Sequence, residues 1–323
     1  MTVSADVGFL KSILRVAFEH SLGTGARLTM DKRAFGHSLR HLKQSQEIYG
    51  WPPLDLDEIV NLRVRKNTRT LFILGSGSSV NGVSAVQWET VKQHVSIGIN
   101  HWTLHEFVPD AYAVETVPDS RVGNYGSSSE SRLNHLNHLG LLGRDEVYRA
   151  EPLLICLAPR SAGEHAQLLA IPQRLRARAF IYYRFTPSTR ALSNLESDLT
   201  RSIQLSGAFP KSLVVPDSGA TLARLLTLSL LAGFQRVVLV GIDLTTTYFW
   251  EAEGSMLVDT KLRAFPQPLG GGVHETMNTK NRPFSIIDVL ATFRRIFELN
   301  GCSIQLFAAD SLAARVLEVV DNV

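Results

Sequence analysis

The chain of 323 residues contains two cysteines, Cys156 and Cys302. A lone distant pair supplies neither a disulfide framework nor a zinc site. No apolar run approaches the roughly 20 residues that a membrane-spanning helix needs. The longest, Leu222 to Phe234, is broken by Arg224, Thr227 and Ser229. Met1–Ser21 carries Asp6, Lys11, Arg15 and Glu19 within its apolar stretch, unlike a secretory leader. Net charge is only +3, and no Lys/Arg stripe interleaved with aromatics points to nucleic acid. A hydrophobic content of 45% is that of a folded chain, not a disordered one. These absences lead to the expectation of a soluble cytoplasmic protein, at most peripheral on the inner membrane face.

The small basic excess is unevenly placed. Residues 1–70 hold 11 Lys/Arg against 7 Asp/Glu, whereas the remainder holds 22 against 23. A basic segment on a neutral body suits peripheral contact with an anionic membrane, although a solvated helix face has the same composition. Within it, Phe9, Leu10, Ile13, Leu14, Ala17 and Phe18 recur at helical spacing. A second helix is expected from Asp31, as its N-cap, to about Ile48. The turn Gly50-Trp51-Pro52-Pro53 then marks a boundary. The domain reading is a helical appendage over 1–65 and a main domain over 66–323. The appendage is equally compatible with packing on the body, joining a second copy in a homo-oligomer, or lying on a membrane.

From Thr70 short apolar runs bounded by turn residues predict buried strands at Thr70–Leu74, Val95–Ile99, Ala111–Val114, Leu153–Leu157, Phe180–Tyr183, Val237–Val240 and Ile304–Phe307. Helical patterns near 85–93, 130–141, 190–205, 218–233, 284–299 and 310–320 alternate with them. The fold class is therefore α/β: a Rossmann-like, mainly parallel sheet with helices on both faces. Ligands of such sheets lie at the carboxyl ends of the strands.

Three strand ends carry candidate chemistry. The first strand runs into Gly75-Ser76-Gly77-Ser78-Ser79, a glycine turn in which backbone amides can approach a phosphate or ribose. Val80 stands where the dinucleotide fingerprint requires its third glycine, and the Gly-Lys-Ser/Thr of a P-loop is absent. The second strand stops on Asn100, whose amide suits a nucleobase or sugar hydroxyl; a capping asparagine would look the same. Further on, Ser218-Gly219 opens an apolar helix as an anion site, and Gly233 is placed as its C-cap. The strand after it ends Gly241-Ile242-Asp243, where a buried carboxylate needs donors or a ligand. Residues 245–283 lack regular pattern and read as a lid. They hold Tyr248, Trp250, a glycine triplet at 270–272 and His274, a natural general base in a mobile loop.

In this order the pieces resemble the bacterial CMP-sialic-acid-dependent sialyltransferases of glycosyltransferase family 42. The resemblance covers roughly residues 70–320. It rests on Gly75–Ser79, Asn100, Ser218-Gly219 with the helix to Gly233, Gly241-Ile242-Asp243, His274 followed by Lys280-Asn281, and Asp310-Ser311-Leu312. It implies a single nucleotide domain with a lid, using a CMP-activated ulosonic acid (sialic acid, Kdo or a related one) as donor and a glycan or glycolipid as acceptor in surface-polysaccharide synthesis. No cofactor or metal would be required. His274 would be the base and Asp243 a brace. Gly75, Ser76, Gly77, Ser79, Asn100, Ser218, Gly219 and Tyr248 would hold the nucleotide. The chain departs from the pattern at Ser76, where that family has Asn, at Val215, where it has Arg, and at Thr245, where it has Tyr. Asp55-Leu56-Asp57, the lone Asp-x-Asp, precedes the first strand.

Two other readings share parts of the pattern. Hydroxymethylpterin diphosphokinase-like proteins also combine Gly-x-Gly-x-Ser with a later Ser-Gly and Gly-x-Asp. That similarity implies an ATP- and magnesium-dependent pyrophosphokinase with Asp243 as a metal ligand. The departures at Val215 and Thr245 suit a non-catalytic nucleotide-sugar-binding protein of envelope assembly.

Overall fold

The computed structural model describes residues 24–116, 141–142, 152–189, 191–245, 247–251, 275–277, 279, 283–307 and 310–320. Nine parallel strands form one sheet: β1 Thr70–Leu74, β2 Val95–Ile99, β3 Ala111–Val114, β4 Leu153–Leu157, β5 Ala179–Phe185, β6 Val214–Pro216, β7 Arg236–Val240, β8 Ser303–Leu306 and β9 Glu318–Val319. Their order is β6-β5-β4-β3-β2-β1-β7-β8-β9. The chain winds outward from β1 to β6, returns to β7 on the other flank of β1, and continues to β9. The direction reverses between β1 and β7, so the topological switch point lies there, and that is where doubly wound sheets bind ligands.

Both faces of the sheet are covered, as the uninterrupted apolar strands require. On one face Leu71, Ile73, Val237 and Leu239 pack with α2 (Leu56–Arg65), α6 (Leu192–Gly207), α7 (Thr221–Leu231) and α8 (Ile286–Leu299). On the other, Phe72, Leu74, Val238 and Val240 pack with α1 (Thr24–Tyr49), α3 (Ala85–Gln93), α4 (Ala162–Leu168) and α5 (Gln173–Arg176). Local signals set the helix starts. Ser84 and Gln87 make a capping box for α3, and Ser285 and Asp288 make one for α8. Gly233 follows α7 with φ +76°, the left-handed conformation expected of a C-terminal glycine.

The N-terminal segment is joined to the body by packing and by hydrogen bonds. Phe35 on α1 meets Phe185 edge-on at 5.6 Å and Phe209 at 5.0 Å. The Pro-Pro turn enters the sheet between β5 and β6. Ile181 N–H donates to Pro52 O (2.8 Å), Leu54 N–H to Ile181 O (2.7 Å) and Leu213 N–H to Leu54 O (3.2 Å). Asp55 caps α2 through Asp57 N–H at 3.1 Å, and both carboxylates pair with Lys211 (2.7 and 2.9 Å). The lone Asp-x-Asp is thus a helix cap and ion pair, remote from the strand ends.

Several sequence expectations are corrected. Helix α1 starts at Thr24, so Asp31 is an interior residue and not an N-cap. It is buried, accepts the Ser188 N–H at 2.7 Å, and burial raises its pKa. Residues 310–320 form a short 3-10 turn, Leu312–Arg315, followed by edge strand β9, where a helix was expected. β6 and β9 were not foreseen, being three and two residues long. The helix of 9–18, most of that of 130–141, and most of the lid lie outside the described residues. Among the described residues no helix is long and apolar enough to cross a membrane.

Candidate functional site at the strand carboxyl ends

At the switch point, the turn after β1 and the turn after β7 are built against each other. Gly75 N–H donates to Val240 O (2.7 Å) and Gly77 N–H to Gly241 O (2.8 Å). Gly241 has φ +67°, and a Cβ there would collide with Gly75 O. A Cβ on Gly77 would stand 2.5 Å from Cγ of Asp243. The glycines are therefore required by close approach of one turn to the other.

Asp243 closes this contact. Its Oδ2 accepts the Ser79 N–H at 2.8 Å and the Ser78 hydroxyl at 3.3 Å, and its Oδ1 accepts the Ser79 hydroxyl. The residue is buried, so these donors replace its lost hydration. The Asp310-Ser311-Leu312 turn supports the loop from beneath: Ser311 Oγ donates to Ile242 O (2.6 Å) and Leu312 N–H to Asp243 O (3.1 Å). Leu244 follows in the left-handed region at φ +60°, an uncommon conformation for a branched side chain. Asp243 thus acts as the brace between the two turns.

The start of the segment that sequence suggested as a lid pairs with the same turn. Ser78 N–H donates to Thr247 O (3.2 Å), Phe249 N–H to Ser76 O (3.1 Å), and Gly77 bridges antiparallel to Tyr248. Tyr248 stacks on Trp250 at 4.4 Å, and His101 stands edge-on to both rings, at 6.4 and 5.3 Å. Burial, and then the charge of Glu251, raise the Tyr248 phenol pKa. Asn100 opens the 3-10 turn Asn100–Leu104 at the carboxyl end of β2, adjacent to β1. His101 in that turn has φ −88° and ψ 16°, the sparsely populated bridge region frequent among active-site residues. Of the sequence candidates, Gly75, Ser76, Gly77, Ser79, Asn100, Asp243 and Tyr248 therefore converge on the ends of β1, β2 and β7.

Ser218 and Gly219 belong to a second cluster. They lie in the loop between β6 and α7, which begins at Thr221 and not at Ser218. Gly219, at φ +92°, donates its N–H to Asp217 Oδ1 at 3.0 Å. Arg224, almost fully buried in the apolar α7, pairs with that same oxygen at 2.6 Å and with Glu115, just past β3. Arg224 Nε donates to the Tyr182 hydroxyl (3.1 Å), and Thr221 donates to Glu115. Burial is the main cause of the raised Tyr182 pKa. Arg184, from β5, reaches the other Asp217 oxygen at 2.7 Å. The Gly219 amide that sequence offered to an external anion is thus capped internally by Asp217. The network ties the α7 start to the end of β3, two strands from β1, roughly 10 Å across the sheet at about 4.8 Å per strand.

Sequence reasoning missed Arg224, Asp217, Glu115 and Arg184. One signal was available: an arginine inside an otherwise apolar helix seldom lies buried without carboxylate partners. The departure at Val215 also has a spatial counterpart, because Val215 pairs in register with Arg184 across β5 and β6. His274, the expected base, lies outside the described residues, as do Lys280 and Asn281.

No protein-family model matches the chain, and no curated protein matches it. Among solved structures it is similar to the apo form of an alpha-2,3-sialyltransferase from Campylobacter jejuni, at 14% identity over 79% of this chain and 80% of that one, with a TM-score of 0.39. It is also similar to the sialyltransferase CstII from Campylobacter jejuni in complex with the substrate analogue CMP-3FNeuAc, at 12% identity, 77% and 84% coverage and a TM-score of 0.37. A CST-II variant in complex with CMP gives 12% identity, 77% and 86% coverage and a TM-score of 0.41.

Proposed function

We propose that the chain is a glycosyltransferase that moves a CMP-activated ulosonic acid to a glycan or glycolipid acceptor in surface-polysaccharide synthesis. The observation that carries this reading is the interlocked pair of turns at the β1–β7 switch point, Gly75–Ser79 braced by Asp243, with Asn100 on the next strand end. That is where a doubly wound sheet places a nucleotide, and the motifs that build it are those of the family resemblance. In this reaction His274 takes the proton of the acceptor hydroxyl. The freed oxygen bonds to the anomeric carbon as the bond from that carbon to the phosphate oxygen breaks, and CMP leaves with the electron pair. Ser218, in the loop before α7, offsets the developing phosphate charge, the Gly219 amide beside it being already taken by Asp217. The chain needs no cofactor of its own in this scheme.

The pyrophosphokinase reading needs Asp243 to face a metal. Its two oxygens are instead turned to Ser78 and Ser79, which favours the brace. Thermal unfolding with CMP, CDP, ATP and AMP, each with and without magnesium, separates the readings, because a ligand of the native state raises apparent stability by mass action. Stabilisation by CMP without magnesium is expected. Stabilisation by ATP with magnesium alone would transfer the assignment to the pyrophosphokinase. CMP binding without any transfer would leave the non-catalytic binder.

A further inference from the structure

We propose that Arg184 is the receptor for a carboxylate of the bound substrate, an inference that rests on the reading of the donor as a nucleotide-activated acid. Arg184 pairs with Val215, and Tyr182, two residues earlier on β5, lies on the same sheet face. That face is the α7 face, since Tyr182 bonds to Arg224. The guanidinium therefore lies beside Asp217, the residue preceding Ser218, at the carboxyl edge of the sheet.

The two arginines of the cluster differ in what they leave open. Arg224 has 2% of its side chain exposed and is bonded to Asp217, Glu115, Tyr182 and Thr221, which seals it into the core. Arg184 has 21% of its side chain exposed and is held through Nη1 alone, by Asp217 Oδ2. Among the described residues its Nε and Nη2 have no hydrogen-bond partner, and Asp217 is its sole ion-pair partner. Asp217 itself is already compensated by Arg224 and the Gly219 amide on its other oxygen. Arg184 thus keeps donors and positive charge for a second anion, while its pair with Asp217 holds the fork in place. A planar guanidinium matches a carboxylate in two parallel hydrogen bonds, a geometry a lysine cannot reproduce. Val215 on the partner strand brings no competing charge.

The test is calorimetric binding of CMP, and of CMP joined to a sugar acid, to the full chain. Wild type should bind the conjugate more tightly than CMP. Arg184→Gln should cut conjugate affinity by about tenfold to a hundredfold, the cost of losing hydrogen bonds to a charged group, and leave CMP affinity within about twofold. Arg184→Lys, which keeps the Asp217 pair, should retain part of the advantage. Equal weakening of CMP and conjugate, or no weakening of either, in a variant that melts like wild type would overturn the proposal. Wild-type chain that binds neither ligand would overturn the donor reading, and the Arg184 assignment with it.

Discussion

Gly77→Ala tests the interlocked turns directly. Gly77 has φ −69° and ψ 158°, a conformation alanine adopts freely, so backbone strain contributes nothing. The whole effect comes from the added Cβ, which would stand 2.5 Å from both Cγ and Oδ2 of Asp243 and 2.9 Å from its Cβ. Asp243 is not a flexible tip that can swing aside, because it is buried and held by Ser78 and Ser79. Overpacking at such a site costs about 1–3 kcal/mol, and a lost hydrogen bond to the carboxylate adds about 1.5–3 kcal/mol. At about 2 °C per kcal/mol for a chain of this size, the melting temperature should fall by roughly 5–12 °C. Nucleotide binding should weaken with it. Gly82→Ala is the control, since a Cβ there meets nothing within 4 Å. The combination with Asp243→Gly removes the three atoms nearest the new Cβ, so the two effects should be strongly non-additive in a double-mutant cycle. A Gly77→Ala variant that melts like wild type, or strict additivity with Asp243→Gly, would refute the packing argument.

Other consequences follow from the same contacts. Arg224→Met leaves Asp217 and Glu115 without their buried cation and should cost about 3–5 kcal/mol in chemical denaturation, far more than Lys211→Met at the exposed pair with Asp55 and Asp57. His105 is enclosed by Trp88, Trp102 and Phe249, and burial lowers its pKa to about 3. The unfolded chain, with a histidine pKa near 6.5, then binds the extra proton, so stability should decline by roughly 1.4 kcal/mol per pH unit below about 6.5, down to about 3. His105→Gln should flatten that slope in pH-dependent unfolding, whatever its effect at neutral pH. Cys156 is fully buried and its thiol is pushed up to about 12, so alkylation in the native state should label Cys302 and reach Cys156 only on unfolding, as peptide mapping would show. His274→Ala should abolish transfer and leave CMP binding near wild type; full activity in that variant would remove the histidine from the reaction.

Most of the sheet was legible because buried parallel strands announce themselves as continuous apolar runs. Leu71–Leu74, Ile97–Ile99, Leu153–Leu157 and Val237–Val240 need no alternation, being covered on both faces. β6 and β9 were hidden because two or three residues carry no periodicity, and because β6 is completed by Leu54 from a segment remote in sequence. The early start of α1 was obscured by Asp31, whose capping chemistry is used across the fold on Ser188 and not on its own helix. At the site, the glycine turn, Asn100 and Asp243 were visible as strand-end signatures. The pairing of Asp243 with Ser78 and Ser79 was not, since it joins positions about 165 residues apart. The Arg184–Asp217–Arg224–Glu115 network escaped for the same reason: its charges are scattered one to an element, with no local pattern.

That distribution divides the site by what its groups remain free to do. Gly75, Gly77 and Asp243 are consumed by contact between the two turns, and Ser78 and Ser79 are turned toward Asp243. Replacing them should therefore act through shape and stability before it acts on chemistry. The groups still open to a ligand are at the margins: Tyr248, where the segment after β7 leaves the β1 turn, and the unbonded edge of Arg184 beside Ser218. Asp217 links both behaviours, because one of its oxygens caps the loop at Gly219 and takes Arg224, while the other aims Arg184. Asp217→Asn should then separate the two functions. The amide keeps an oxygen for Gly219, so the loop stays capped, but its neutral group no longer pins Arg184. Affinity for an anionic substrate should fall severalfold even where CMP binding is preserved, and added salt should weaken what remains more steeply than in wild type.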